Sequence, residues 1–237
     1  RMQEGGLDGG FWVIYTAQGA LTERGYAKAL AHARHRNQVI DEMLRGHGPD
    51  FEFASRAEDA PRIAATGKRI VYKSIENAYP LGENIDLLDE FYAAGVRMVG
   101  LVHSKNNQFA DSATDLKGQK WGGLSPLGRQ LIRRANRLGM IVDMSHAHDD
   151  ALAQAIELSA TPIILSHSGA AFLHKHPRNV PDDLLKKLAR SGGVIQINSL
   201  SAYLRESRAD PNRLPEFLAI YRKYQNAPGG MRENHKA

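Results

Sequence analysis

The chain has 237 residues, 42% of them hydrophobic and 24% charged, which is enough for one large domain with a sizeable core. Its formal charge of +5 and sequence pI near 9.4 arise from basic residues mixed with acids, apart from Arg34-His35-Arg36 and Arg133-Arg134. Solvated helix faces account for that charge, and no aromatic-basic platform supports a nucleic-acid partner. Cysteine is absent, which excludes disulfides, thiolate metal sites and cysteine nucleophiles together, and no apolar run is long enough to insert in a membrane.

The opening Arg1-Met2-Gln3 shows no basic stretch followed by an apolar one, so no signal peptide is visible and the compartment, periplasmic or cytoplasmic, stays open. Phe11 to Thr16 is aromatic and β-branched and reads as a strand. Leu21 to about Leu44 is rich in Ala, Leu, Arg and Glu, starts near Thr22 and stops at Gly46-His-Gly-Pro49, as a long helix would. A shorter helix over Glu58 to Ala65 precedes a strand, Lys68 to Glu76, that ends on an acid. Ile85 to Ala94 reads as a helix closed by Gly95, and Val96 to His103 as a strand that ends on an imidazole.

A loop containing Asn106-Asn107 and Gly122-Gly123 leads to Ser125-Pro126, which caps a helix running to Leu138-Gly139. Met140 to Ser145 is the next strand and Asp149 to Ser159 the next helix. Thr161 starts a strand, Pro181-Asp182-Asp183 starts another helix, and Val194 to Asn198 is a sixth strand. Pro211 to Tyr224 reads as an amphipathic helix before a polar tail. Strands alternating with helices, with Gly between helix and next strand, signal right-handed βαβ units in a parallel sheet. A doubly wound sheet and a TIM-type (β/α) barrel both satisfy this pattern, and the barrel is preferred because chemistry-bearing side chains stand at the ends of successive strands.

Those side chains are Glu76, His103, His146 and His167. Each follows an apolar run, and period-two alternation with neighbours such as Val142, Met144, Ile163 and Leu165 would turn all four inward. One strand-end histidine is ordinarily a hydrogen-bonded structural residue. Four such positions together suggest a site for zinc or another borderline divalent ion, with a carboxylate able to bridge two of them. His148, His174 and His176 read as loop residues, His32, His35 and His47 as solvent-facing, and Trp12 and Tyr15 as packing in the barrel wall.

The series Ser74-Ile-Glu-Asn-Ala-Tyr-Pro-Leu-Gly82, Leu101-Val-His-Ser-Lys-Asn-Asn-Gln-Phe-Ala-Asp111, Gly123-Leu-Ser-Pro-Leu-Gly128, Asp143-Met-Ser-His146, Ser166-His167-Ser168 and Arg178-Asn-Val-Pro-Asp-Asp183 resembles the membrane (renal-type) dipeptidases of the amidohydrolase superfamily. The resemblance runs through almost the whole chain in order. It implies a zinc-dependent dipeptidase in which a hydroxide bridged between two Zn2+ ions attacks the peptide bond. Glu76 would then bridge the ions, His146 and His167 would complete the ligands of the second, and His103 would contact substrate and steady the tetrahedral intermediate. It also implies that Arg178 binds the dipeptide's terminal carboxylate, that Tyr203 contacts substrate, and that a homodimer is an open arrangement.

The chain departs from the family at both ends. No His-x-Asp pair precedes Phe11, and no Gly-rich strand carrying an Asp follows Asn198. The six strands therefore correspond to the second through seventh of eight, and the expectation is a fragment: one incomplete barrel domain over residues 1–237 whose activity alone is impaired. Two other readings stay open, another amidohydrolase-type enzyme such as a lactonase or deacylase, and a non-catalytic barrel remnant acting as a binding protein.

Overall fold

A computed structural model describes residues 2, 4–206, 212, 213 and 215–219. Strand β1 (Gly9–Tyr15) leads to helix α1 (Glu23–Gly46), whose N-cap Thr22 accepts a hydrogen bond from the Gly25 amide at 3.2 Å. Then come β2 (Phe51–Phe53), α2 (Asp59–Ala64), β3 (Arg69–Glu76), a 3-10 turn at Tyr79–Leu81, α3 (Leu87–Ala93) and β4 (Val96–Gly100). After a long loop follow α4 (Pro126–Leu138), β5 (Ile141–Asp143), α5 (Asp149–Leu158), β6 (Ile164–Ala170), β7 (Asn179–Val180), α6 (Asp182–Arg190), β8 (Val194–Ile197) and the short α7 (Ser201–Leu204). Ser125 caps α4 through the Gly128 amide at 2.9 Å, and Gly139 closes it in the left-handed conformation at φ 73°. Of the helix expected over 211–224, residues 211, 214 and 220–224 lie outside the described residues.

All pairings between strands are parallel. The order is β1-β3-β4-β5-β6-β7, with β2 also on β3 and β8 also on β6. Since β1 occupies one edge of β3 along its length, β2 and β4 share the other in succession. The result is a half-barrel, an incomplete TIM-type fold, open among the described residues at β1 and at β8. Apolar side chains stand uncovered at the β8 end, with Val194 53% and Ile197 63% exposed.

Among the described residues, eight strands replace the six expected. β2 and β7, of three and two residues, are too short to register as hydrophobic runs, and only pairing to a longer neighbour defines them. One core holds Val142, Met144, Ile163 and Leu165 together with Leu131, Ile132 and Ala135 of α4, Ala151, Leu152 and Ala155 of α5, and Leu184 and Leu188 of α6. Burying each of the Val, Leu, Ile and Met side chains contributes about 1.5–3 kcal/mol before entropy is counted, and each alanine less.

That packing corrects the expected facing of the strands. Val142, Met144, Ile163 and Leu165 belong to the helix-covered layer, whereas a cavity of about 240 Å³ is lined by Val13, residues 74–76 of β3, Met98, Asp143, Ser166 and His167. By strict alternation Glu76 faces inward with Ser74, but His146 and His167 share the parity of the helix-facing residues. Two irregularities turn their rings to the site. His146 lies past the end of β5 with φ 74°, and the ladder between β6 and β8 shifts register between Leu165 and Ser168, around His167. His103 likewise stands beyond the end of β4, and His167 lies within β6, so neither is a strand terminus.

Candidate metal centre

Glu76, the last residue of β3, presents its carboxylate where three imidazoles converge. Its Oε1 lies 3.1 Å from His146 Nε2, 3.3 Å from His167 Nε2 and 3.7 Å from His103 Nε2. The Nε2 atoms of His146 and His167 are 2.8 Å apart. Glu76, His103 and His146 each offer a ligand atom within 4.8 Å of the others, with His167 against two of them. These spacings are near the roughly 3.3 Å ligand-to-ligand edge of a tetrahedral zinc site with bonds of about 2.0–2.1 Å. The donor set, one carboxylate and imidazoles with no thiolate, fits a borderline divalent cation.

The electrostatics hold the ligands ready for one. Burial raises the Glu76 carboxyl, but the hydrogen bonds and positive fields that the His146 and His167 rings supply when protonated outweigh it and hold the group well below the usual carboxylate range. His146 is pushed down to about 4, first by burial, with Arg178, His103 and His167 adding, against the raising hydrogen bond with Glu76. Burial also lowers His103. At neutral pH the Glu76 carboxylate is thus ionised beside the neutral rings of His103 and His146, the protonation state that metal binding requires.

Backbone strain aims this cluster. Asn77, directly after Glu76, has φ 71°, and His146 has φ 74°, both rare for residues with a Cβ. Asn77 is held there by its side chain, which donates to Thr16 O at 3.1 Å and accepts from Asn107 Nδ2 at 3.0 Å. The loop after β4 is folded around buried Asp111, whose carboxylate accepts the backbone amides of Lys120, Trp121 and Gly123 at 2.8–2.9 Å. The same loop is tied to His103, whose carbonyl accepts from Ser112 Oγ at 2.5 Å.

Arg178 is 4% exposed and donates to His167 O at 2.9 Å, which places its guanidinium against the cluster. Its Nη1 lies 3.4 Å from the Tyr203 hydroxyl, while its buried Nε has no hydrogen-bond partner among the described residues. The sequence-selected Arg178 and Tyr203 are therefore brought together, as are Glu76, His103, His146 and His167.

Other residues sort differently. His148 is the N-cap of α5 through the Asp150 amide, as a loop residue rather than a member of the cluster. His32, His35 and His47 are exposed. Trp12 packs on Phe51 in the wall, but Tyr15 is 39% exposed with its ring 4.9 Å from His103, at the rim rather than in the wall. His176 does more than fill a loop: its Nδ1 accepts the Arg178 amide at 3.1 Å and its ring stacks on Tyr203 at 4.4 Å. Ser104 Oγ lies 2.7 Å from His103 Nδ1 and Ser166 Oγ 2.8 Å from His167 Nδ1. Sequence reading passed over these serines, although each adjoins its histidine in the chain.

Comparison with known proteins bears on the family and the fold. The family model for membrane dipeptidase (peptidase family M19) matches residues 1–225. Dipeptidase tcpJ of Claviceps purpurea is 36% identical over 203 residues, covering 84% of this chain and 47% of that protein. Among solved structures, the probable dipeptidase PvdM from Pseudomonas aeruginosa superposes with a TM-score of 0.83 at 33% identity, over 94% of this chain and 58% of that one. Dipeptidase AC, a metallopeptidase of family M19, gives a TM-score of 0.79 at 25% identity over 92% and 69%. The chain spans about half the length of the curated relatives it matches.

Proposed function

The chain belongs to the membrane dipeptidase family, and from that premise we propose that it is the metal-binding part of a zinc-dependent dipeptidase, its 237 residues acting as one metallohydrolase domain. The observation that carries this reading is the convergence of three Nε2 atoms on Glu76 Oε1 beside the guanidinium of Arg178.

Glu76, His146 and His167 would hold zinc, which when bound would supply Lewis acidity and lower the pKa of a bound water to about 7. The remaining chemistry belongs to the chain's own groups. Arg178, with one nitrogen free of protein partners, binds the dipeptide's terminal carboxylate through the guanidinium fork, and the Tyr203 hydroxyl closes that end of the pocket. His103, half-buried at the rim, touches the scissile carbonyl. If the Ser104 hydroxyl, 2.7 Å from Nδ1, donates there, the ring carries its proton on Nε2, the atom facing the cluster, and would donate a hydrogen bond to the developing oxyanion. Glu76 keeps the cluster anionic and the imidazoles oriented.

In this reading the converging donors Glu76, His146 and His167 serve one ion. The test is zinc titration with a dipeptidase assay on the full chain, using a dipeptide and its C-terminal amide. One zinc per chain and a preference for the free carboxylate support the reading. Absence of zinc binding, or equal handling of acid and amide, would overturn it.

A further inference from the structure

The buried carboxylate of Asp143 does not touch the metal cluster, yet it is tied to it through one hydroxyl. Asp143 Oδ1 accepts the backbone amides of Ser145 at 2.9 Å and Ser166 at 3.1 Å. Its Oδ2 lies 2.5 Å from Ser166 Oγ, and that Oγ lies 2.8 Å from His167 Nδ1. A hydroxyl carries one proton, and a carboxylate can only accept. The Ser166 proton therefore goes to Asp143, leaving the oxygen able only to accept from the ring. His167 must then carry its proton on Nδ1, and Nε2 presents a lone pair toward Glu76 Oε1 and His146 Nε2.

Neighbouring contacts point the same way. Ser145 Oγ accepts the His167 amide at 3.0 Å and lies 3.3 Å from Ser166 Oγ, so the strand end of β5 clamps the irregular segment of β6 by backbone and side chain together. This clamp lies where the β6 ladder slips register and strict alternation would have turned His167 away.

We propose that Asp143 and Ser166 are positioning residues, a carboxylate–hydroxyl–imidazole relay that fixes the His167 tautomer and leaves Nε2 free for a divalent cation. The inference deepens the zinc reading above and rests on it. Relays of this kind orient a ligating histidine and strengthen its donor nitrogen.

The test uses the full chain, zinc alone as probe, competition against a chromophoric chelator, and long-range 15N–1H spectra of histidine-labelled, zinc-free protein. Ser166→Ala should weaken zinc binding about 10–100-fold and abolish the Nδ1-protonated signature of His167, as loss of an outer partner typically does. Ser166→Thr, which keeps the hydroxyl, should restore both. Equal zinc affinity in the wild type and Ser166→Ala would overturn the relay while sparing the metal site, whereas a wild type that binds no zinc would sink the metal site itself. If Ser166→Ala does not fold, the wild-type spectrum decides: a His167 proton on Nε2 refutes the relay, and one on Nδ1 with Ser166→Thr binding like wild type upholds it.

Discussion

Acid should destabilise the metal-free protein through His146 in particular. The side chain is 7% exposed, and its imidazole is pushed down to about 4, burial being the largest cause. An imidazole in the unfolded chain titrates near 6.5, so between these values the unfolded state binds a proton that the native state refuses. Stability contributed by this ring is therefore full above about pH 6.5 and is lost as pH falls toward 4. At 1.36 kcal/mol per pH unit, the gap between about 6.5 and about 4 is worth about 3 kcal/mol, a large share of a typical folding free energy. The comparison variant is His146→Asn, because Asn tolerates the left-handed backbone found there. Urea unfolding in excess chelator from about pH 7 to about pH 4 should show wild type losing roughly 3 kcal/mol more than the variant over that range. Parallel pH curves for the two proteins would refute the reasoning, since Glu76 and His103 titrate in both.

Three further outcomes are expected. Lys73, 2% exposed on β3, places its ammonium 2.5 Å from Asp41 and 3.0 Å from both Asn37 Oδ1 and Ala94 O. Asp41→Ala strands that charge and should cost about 2–3 kcal/mol in urea unfolding, below the 3–5 of a fully buried pair because Asp41 is partly solvated, whereas Lys73→Met should cost less. Asp111→Ala removes the acceptor for the amides of Lys120, Trp121 and Gly123, so hydrogen exchange at those amides should accelerate while α4 and α5 stay protected; unchanged exchange there would contradict the loop's dependence on one carboxylate. Arg178→Lys should raise KM for a dipeptide about tenfold or more, roughly 1.4 kcal/mol per tenfold, with little effect on its amide, because an ammonium cannot reproduce the fork; an equal loss on both substrates would remove Arg178 from carboxylate recognition.

Local signals carried much of this fold. Thr22 and Ser125 sit at helix starts, and Gly95 and Gly139 fall after helix ends, because caps are decided by the few atoms within one turn. Period-two runs placed β3, β4 and β8 to within a few residues. β2 and β7 were illegible, since a strand of two or three residues exists only through hydrogen bonds to a partner distant in sequence.

Residue chemistry determined more: which side chains could hold a cation, since an acid and three imidazoles at the ends of apolar runs have few other uses, and that thiolate chemistry was excluded. Only tertiary structure decided how they meet. Alternation alone would have sent His146 and His167 into the helix-facing core; a positive φ at one and a register shift around the other turn both rings to Glu76. It also decided that Ser166, Ser104 and His176 stand behind the predicted residues, because such support depends on atoms brought within 3 Å or so by strand pairing and loop closure. Sequence records which donors a chain owns; the direction in which each lone pair points is set by backbone irregularities that no periodicity encodes.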